Sequence, residues 1–228
     1  MRQLDRSHTR FARVRRRLEA YNPSGGWPSW LYEFALFGFK QAWACLFGGL
    51  MLGLLVSTHL FYPAGALLAR YDFLTIAALA IQAGMLTFRL ETLEEAKVIF
   101  AFHVVGTVME LFKTSAGSWI YPEPSWLRIG DVPLFSGFMY AAVGSYLARI
   151  WRIFDMRFQP YPATVWTQIL AVAVYVNFFA HHWLPDIRLA LFAAMGVLFW
   201  RTRAYFTVWR DQRWMPLLLG WFLIALFI

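Results

Sequence analysis

Cysteine is almost missing from this chain: Cys45 is the only one in 228 residues. An intrachain disulfide is therefore excluded, and so is any zinc or iron–sulfur site built from thiolates alone. Because Cys45 lies inside an apolar run, it reads as a small, inert core residue. Charge is scarce as well. Asp, Glu, Lys and Arg make up 15% of the residues, against about 25% in an average soluble domain. Five histidines are too few for a multi-histidine diiron desaturase. No HExxH, no clustered H-x-x-H-H and no P-loop occurs, which removes the common zinc-hydrolase and nucleotide-phosphate signatures. The chain does not open on a short basic region, an apolar stretch and a small-residue cleavage site, so the N-terminus is expected to stay attached.

What the chain has in excess is apolar and aromatic surface. Hydrophobic residues reach 60%, mean hydropathy is +0.49, and aromatics make up 19% with 12 Trp. Residues 1–26 form a basic segment with arginines at 2, 6, 10, 13, 15, 16 and 17, ending in the turn-like Asn22-Pro23-Ser24-Gly25-Gly26. Residues 27–228 then hold seven apolar runs: Gln41–Tyr62, Phe73–Phe88, Ala96–Phe112, Val132–Ile150, Ala163–Ala180, Leu184–Trp200 and Trp214–Ile228. A bilayer core takes about 20 helical residues, so the first, fourth and fifth runs are comfortable spans and the second, third and sixth are short. Only helices or closed barrels cross lipid, and runs this long without alternation exclude a barrel. The expected fold class is all-α, a polytopic transmembrane helical bundle of about seven spans with a cytoplasmic N-terminus.

Charge supports that topology. With the N-terminus inside, only Arg70, Lys113, Arg128 and Arg188 of the 21 basic residues fall in outer loops. This is a strong positive-inside bias. The net charge of +8 is thereby assigned to anionic lipid headgroups, with no role in nucleic-acid binding. The expected location is a bacterial cytoplasmic (inner) membrane.

Tyr62-Pro63, Tyr121-Pro122 and Tyr161-Pro162 read as interface belts with helix stops. Gly49 and Gly53, and the series Gly137, Ala141, Ser145, put small residues four apart, which lets helices approach closely in lipid. Packing inside the chain is the default for both, with a homo-oligomer face as the alternative. The sequence ends inside an apolar run with no polar flank, and a continuation of one or two further segments is expected.

Ionisable residues at membrane depth are functional candidates. His103 and Glu110, seven apart in the third run, share one helix face. Lys113 follows one turn later and could neutralise Glu110. The fifth run ends in Asn177-Phe-Phe-Ala-His181-His182 and leads to Pro185-Asp186-Ile-Arg188. In the topology above, Glu110, Lys113, Asp131, His59, His181, His182, Asp186 and Arg188 all gather toward the outer leaflet. Asp186 and Asp131 also fit first-turn acids beside a proline at helix starts, which is the plainer reading of both. The candidate site is Glu110, His103, His181, His182 and Asp186. Histidines with a carboxylate would suit a divalent metal, zinc or iron, with His181, His182 and Glu110 as ligands. Glu110 could instead act as a buried acid on a lipid alkene or carbonyl.

The stretches Phe102–Pro122, Val132–Tyr146 and Asn177–His182 with Asp186 and Arg188 resemble the bacterial membrane family catalogued as domain of unknown function 817, the YoaT-like proteins. The resemblance covers nearly the whole chain and implies a second Glu…Gly-x-Trp-x-Tyr-Pro block beyond its end, hence a pseudo-repeat with a second carboxylate facing Glu110. The Glu–Gly–Tyr block followed by Val132-Pro133-Leu134 is similar to membrane carotenoid hydratases, which add water to an isoprenoid double bond. His182 with Asp186 is similar to the His-x-x-x-Asp of alkaline-ceramidase-type hydrolases. Three functional classes follow: a membrane enzyme modifying a lipid or isoprenoid, a proton-coupled transporter or permease, and a scaffold without chemistry.

Overall fold

In the computed structural model the described residues are 10–21, 26–63 and 65–227. Arg2, Arg6 and residues 22–25 of the basic N-terminal segment lie outside them, as does Ile228 of the seventh apolar run. The chain divides into two compact units, Met1–Ile153 and Phe154–Ile228.

The first unit contains α1 (Arg10–Ala20), α2 (Trp27–Ala44), α3 (Leu46–Phe61), α4 (Arg70–Thr87), α5 (Leu93–Ser115), the strands β1 (Arg128–Ile129) and β2 (Val132–Pro133), and α6 (Phe135–Ile153). A proline in its first turn starts α2, well before the first apolar run. The expected Gln41–Tyr62 span is therefore corrected. Gln41–Ala44 close α2, and Cys45, at ψ 0, separates it from α3 with a bend of 63°. Cys45 is partly exposed at that break and is not a core residue. The start of α5 is fixed by a capping box in which Thr92 accepts from the Glu95 amide while Glu95 accepts from the Thr92 amide.

α6 packs on α2, α3, α4 and α5. Phe47 and Met51 of α3, Leu74, Ala78 and Met85 of α4, Ile99 of α5, and Phe135, Phe138 and Ala141 of α6 form the core. α5 and α6 approach closely at Gly137, where an added Cβ would overlap Thr107 Oγ1 and lie 2.7 Å from the His103 carbonyl oxygen. That part of the small-residue expectation holds. At Gly49 and Gly53 an added Cβ would meet nothing within 4 Å; the packed glycine of that stretch is Gly48, against Ala142.

The fourth run also starts later than expected. Val132 and Pro133 pair with Ile129 and Arg128 in a short hairpin, turned by Gly130 at φ +54. Asp131 is thus a hairpin residue paired with Arg128 at 2.7 Å, and not a first-turn acid.

The second unit contains β3 (Arg157–Gln159), α7 (Thr164–Ala180), α8 (Arg188–Phe199), β4 (Arg203–Thr207), β5 (Gln212–Pro216) and α9 (Leu217–Phe227). The three strands form an antiparallel sheet in the order β3-β4-β5, with Arg157, Tyr205 and Trp214 in one cross-strand row and Phe158, Ala204 and Met215 in the next. Phe158, Ala204 and Met215 pack with Phe199 and Leu217. This sheet corrects the all-α expectation locally. Trp214–Pro216, read as the start of the seventh run, lie in a strand, so α9 keeps 11 residues and α8 keeps 12.

The architecture is mostly helical, and each of the seven apolar runs overlaps a helix. Among the described residues, α5 with 23 residues is the one helix long and apolar enough to cross a membrane alone, and the bent α2–α3 pair passes the same test together.

Charged side chains are buried in the first unit. Arg149 is fully buried, 3.3 Å from Glu91, with its other nitrogen bonded to the Trp43 carbonyl at 3.2 Å. Gln82 donates to Glu91 at 2.9 Å, and Arg152 pairs with Glu95 at 2.9 Å. Burial pushes the Glu91 carboxyl above its ordinary range, while Gln82 and Arg149 pull it back. Removing one partner of such a pair strands the other. Arg149→Met is expected to destabilise the protein by about 3–5 kcal/mol in thermal unfolding, and adding Glu91→Leu is expected to restore most of it.

Candidate functional site

Glu110 sits on α5 one turn before its end, with 1% of its surface exposed. A carboxylate hidden this way needs donors for both oxygens. Oε1 accepts the Tyr140 hydroxyl of α6 at 2.5 Å and lies 3.5 Å from Lys113 Nζ. Oε2 accepts Trp119 Nε1 at 2.8 Å and the Tyr121 hydroxyl at 2.6 Å. Lys113 also donates to the Tyr140 oxygen at 3.0 Å, so a continuous hydrogen-bonded line runs Lys113–Tyr140–Glu110. The ammonium sits 4.3 Å over the Trp119 ring, a cation–π contact. The expectation that Lys113 balances Glu110 is thereby met, with Tyr140 bridging the two.

Two of these donors come from the loop after α5, and α4 holds that loop. Asp72, buried in the first turn of α4, accepts the backbone amides of Trp126 and Leu127 at 2.7–2.9 Å. Arg70 grips Glu123 with two nitrogens at 2.6–3.1 Å. Tyr71 meets Tyr121 edge to face at 6.0 Å. Burial, and then the bond to Glu110, push the Tyr121 phenol above its ordinary range.

His103 and Glu110 share the face of α5 that meets α6, as their seven-residue spacing predicts. The His103 ring lies 4.3 Å from that of Phe138, and its Nδ1 is buried without a hydrogen-bond partner. The sequence reading missed Tyr140 and Asp72 as parts of this centre. It also missed Trp119 and Tyr121 as donors, although both stand in the block that carries the family resemblance.

Residues 33–228 match a family described as a protein of unknown function, DUF817. The chain belongs to that family. It is 42% identical over 192 residues to "Uncharacterized protein YoaT" of Bacillus subtilis (strain 168), an alignment covering 84% of this chain and 72% of that protein. No solved structure matches the chain.

The remaining candidates lie in the second unit. His181 caps α7: its Nδ1 is 2.8 Å from the Phe178 carbonyl and 3.2 Å from that of Asn177. Its ring lies 4.1 Å from that of His182, tilted by 34°. Asn177 Oδ1 accepts the Ile187 amide at 2.9 Å, and Asn177 Nδ2 donates to Asp186 at 3.2 Å. Asp186 lies two residues before α8, outside its first turn, and accepts both the amide and the guanidinium of Arg188. The Arg188 amide first, then Asn177, holds its carboxyl below the usual range. Asn177, Asp186 and Arg188 thus staple the α7–α8 turn. His59, on α3, is exposed. Among the described residues no group of three or more His, Cys, Asp or Glu is arranged to hold a metal ion. Every partner of Glu110 named above belongs to its own unit, and none is a histidine.

Glu110→Gln removes the anion that opposes ionisation of Tyr121. The Tyr121 midpoint is expected to fall in this variant while staying above that of a free phenol, because burial is the larger cause. Ultraviolet titration of the variant against its Tyr121→Phe double checks it.

Proposed function

We propose that this chain is an integral protein of the bacterial cytoplasmic membrane that modifies a lipid or isoprenoid by acid–base chemistry at Glu110. Two features support the membrane part. Valines 104, 105 and 108 of α5 are exposed while Glu110 and Glu95 of the same helix are buried. On α7 no residue is buried, although Val165, Trp166, Ile169, Val172 and Tyr175 cover its surface. A helix that is apolar all round and uncovered by protein suits lipid as its solvent.

The observation that carries the chemical part is the Lys113–Tyr140–Glu110 line. A buried carboxylate without a route to solvent can balance charge, but it cannot turn over protons. Here the partly exposed Lys113 ammonium and the Tyr140 hydroxyl give Glu110 such a route. The carboxylate takes a proton through Tyr140 and passes it to a substrate alkene or carbonyl, water adds to the cation so formed, and the proton that water loses returns along the same line. Lys113, Tyr121 and Tyr140 take the partner role first assigned to the histidines. A divalent metal is no part of this reading.

A second reading, proton-coupled transport, is favoured by the 63° break at Cys45 between α2 and α3, since interrupted helices build transporter binding sites.

Lipid extracts of a deletion strain complemented with wild-type or variant chains separate the readings. Glu110→Gln and Tyr140→Phe are expected to leave the deletion lipid profile unrestored, with roughly a 100-fold or greater loss for Glu110→Gln if it is the acid. Full restoration by Glu110→Gln would sink the enzymatic reading, and an unchanged profile with altered uptake of a solute would favour transport.

A further inference from the structure

The sheet of the second unit has two unlike faces. Cross-strand partners point to the same side, so Phe158, Ala204 and Met215 form the face that packs on Phe199 and Leu217. The rows on either side put Arg157, Gln159, Arg203, Tyr205 and Trp214 on the opposite face. Of these Arg157, Gln159, Arg203 and Trp214 are exposed. Arg203 lies 4.1 Å over the Trp214 ring, and Arg210 at the hairpin turn lies 4.3 Å over Trp209. Five arginines stand on the sheet and its turns, at 157, 201, 203, 210 and 213, of which Arg213, opposite Phe206, belongs to the packed side. The acids are Asp211 and Asp155, the latter 3.5 Å from Arg157 at the edge of the face.

Three apolar helices are joined to this sheet. α7 begins five residues after β3, α8 ends at Phe199 just before β4, and α9 follows β5 directly. The buried residue of α8 is Phe199 and that of α9 is Leu217, each at the end next to the sheet. Beyond those ends the helices present Leu189, Phe192, Val197, Leu223 and Leu226 uncovered. The change from apolar helix surface to cationic strand therefore falls at the sheet, with Trp200 and Trp214 exposed there as interfacial anchors would be.

We propose that the cationic face of the β3-β4-β5 sheet is a docking site for anionic phospholipid headgroups, held by Arg157 and Arg203 with the Trp214 indole as platform. The proposal rests on the membrane reading above. Phosphodiester oxygens match the guanidinium fork, and Trp214 stacked beneath Arg203 holds that fork in place while its own ring lies at the level of the glycerol backbone. Unpaired RNA bases could also stack on an indole, but Trp200 and Trp214 stand where uncovered apolar helices meet the strands, the position of interfacial anchors, which favours a phospholipid.

The full chain is purified in mild detergent, incubated with equimolar phosphatidylglycerol and phosphatidylcholine, and its retained lipids are counted by native mass spectrometry. Wild type is expected to retain phosphatidylglycerol preferentially. Arg157→Gln/Arg203→Gln is expected to lower that retention roughly tenfold, and Trp214→Ala, which changes no charge, is expected to lower it too. Circular dichroism of both variants checks that the helices are kept. Equal retention of the two lipids by wild type, or undiminished retention in both folded variants, overturns the proposal; so does tighter binding of a short RNA than of phosphatidylglycerol. An alkaline carbonate wash of membranes tests the underlying reading separately. Release into the supernatant would contradict membrane integration itself, whereas a retained protein without lipid preference would contradict the sheet site alone.

Discussion

A charge removed from water must be met by opposite charge or by hydrogen-bond donors, and much of this structure follows from that requirement. Lys40, Asp72, Glu91, Glu95, Glu110 and Arg149 are buried, while valines, leucines and phenylalanines of the same helices are exposed. Each buried group has partners from a different element: Lys40 from Glu19 of α1, Arg149 from Glu91 before α5, Asp72 from the loop beyond α5, and Glu110 from α6 and that same loop. These bonds fix which helices are neighbours. Apolar contacts, being non-directional, would not by themselves single out those pairings.

The Glu110 centre shows how the requirement becomes a site. Donors for a carboxylate at the end of α5 must arrive from outside the helix, so the chain turns back and supplies Trp119 and Tyr121. Asp72 and Arg70 anchor that return several residues further on. The result is a buried carboxylate whose donors from α6 and the loop are already in place. Gly106 and Gly137 contribute by bringing α6 close enough for Tyr140 to reach. A Cβ on Gly106 would lie 2.5 Å from the Tyr140 ring.

Much of this was legible in the sequence. The helices α4, α5 and α7 lie close to their apolar runs, Glu110 stands out as an acid in apolar surroundings, and Lys113 is placed beside it by helical spacing alone. Tyr140 was hidden because an aromatic among apolar residues looks like core, and its hydroxyl matters only once α6 is docked. Asp72 was hidden for a similar reason: it reads as a first-turn acid of α4, and its partners are backbone amides more than fifty residues away. The strands were missed because Trp214 and Met215 fit the start of an apolar run as well as a strand, while Tyr205 and Phe206 lie between arginines in a segment read as a loop; only the pairing of β4 with β3 and β5 decides. His181 drew attention as a candidate ligand, whereas the structure gives its Nδ1 to the carbonyls that end α7.

The central claim is that the exposed apolar surface meets lipid chains and not water. It is tested most directly by spin labels on single cysteines at positions 108, 172 and 197, in a Cys45→Ser background, with the protein in nanodiscs. Collision rates are measured with oxygen, which concentrates in lipid, and with a water-soluble nickel chelate. The account predicts frequent collisions with oxygen and few with nickel at all three positions, and the reverse at exposed Lys97. Nickel collisions at Val108, Val172 and Val197 as frequent as at Lys97 would contradict it.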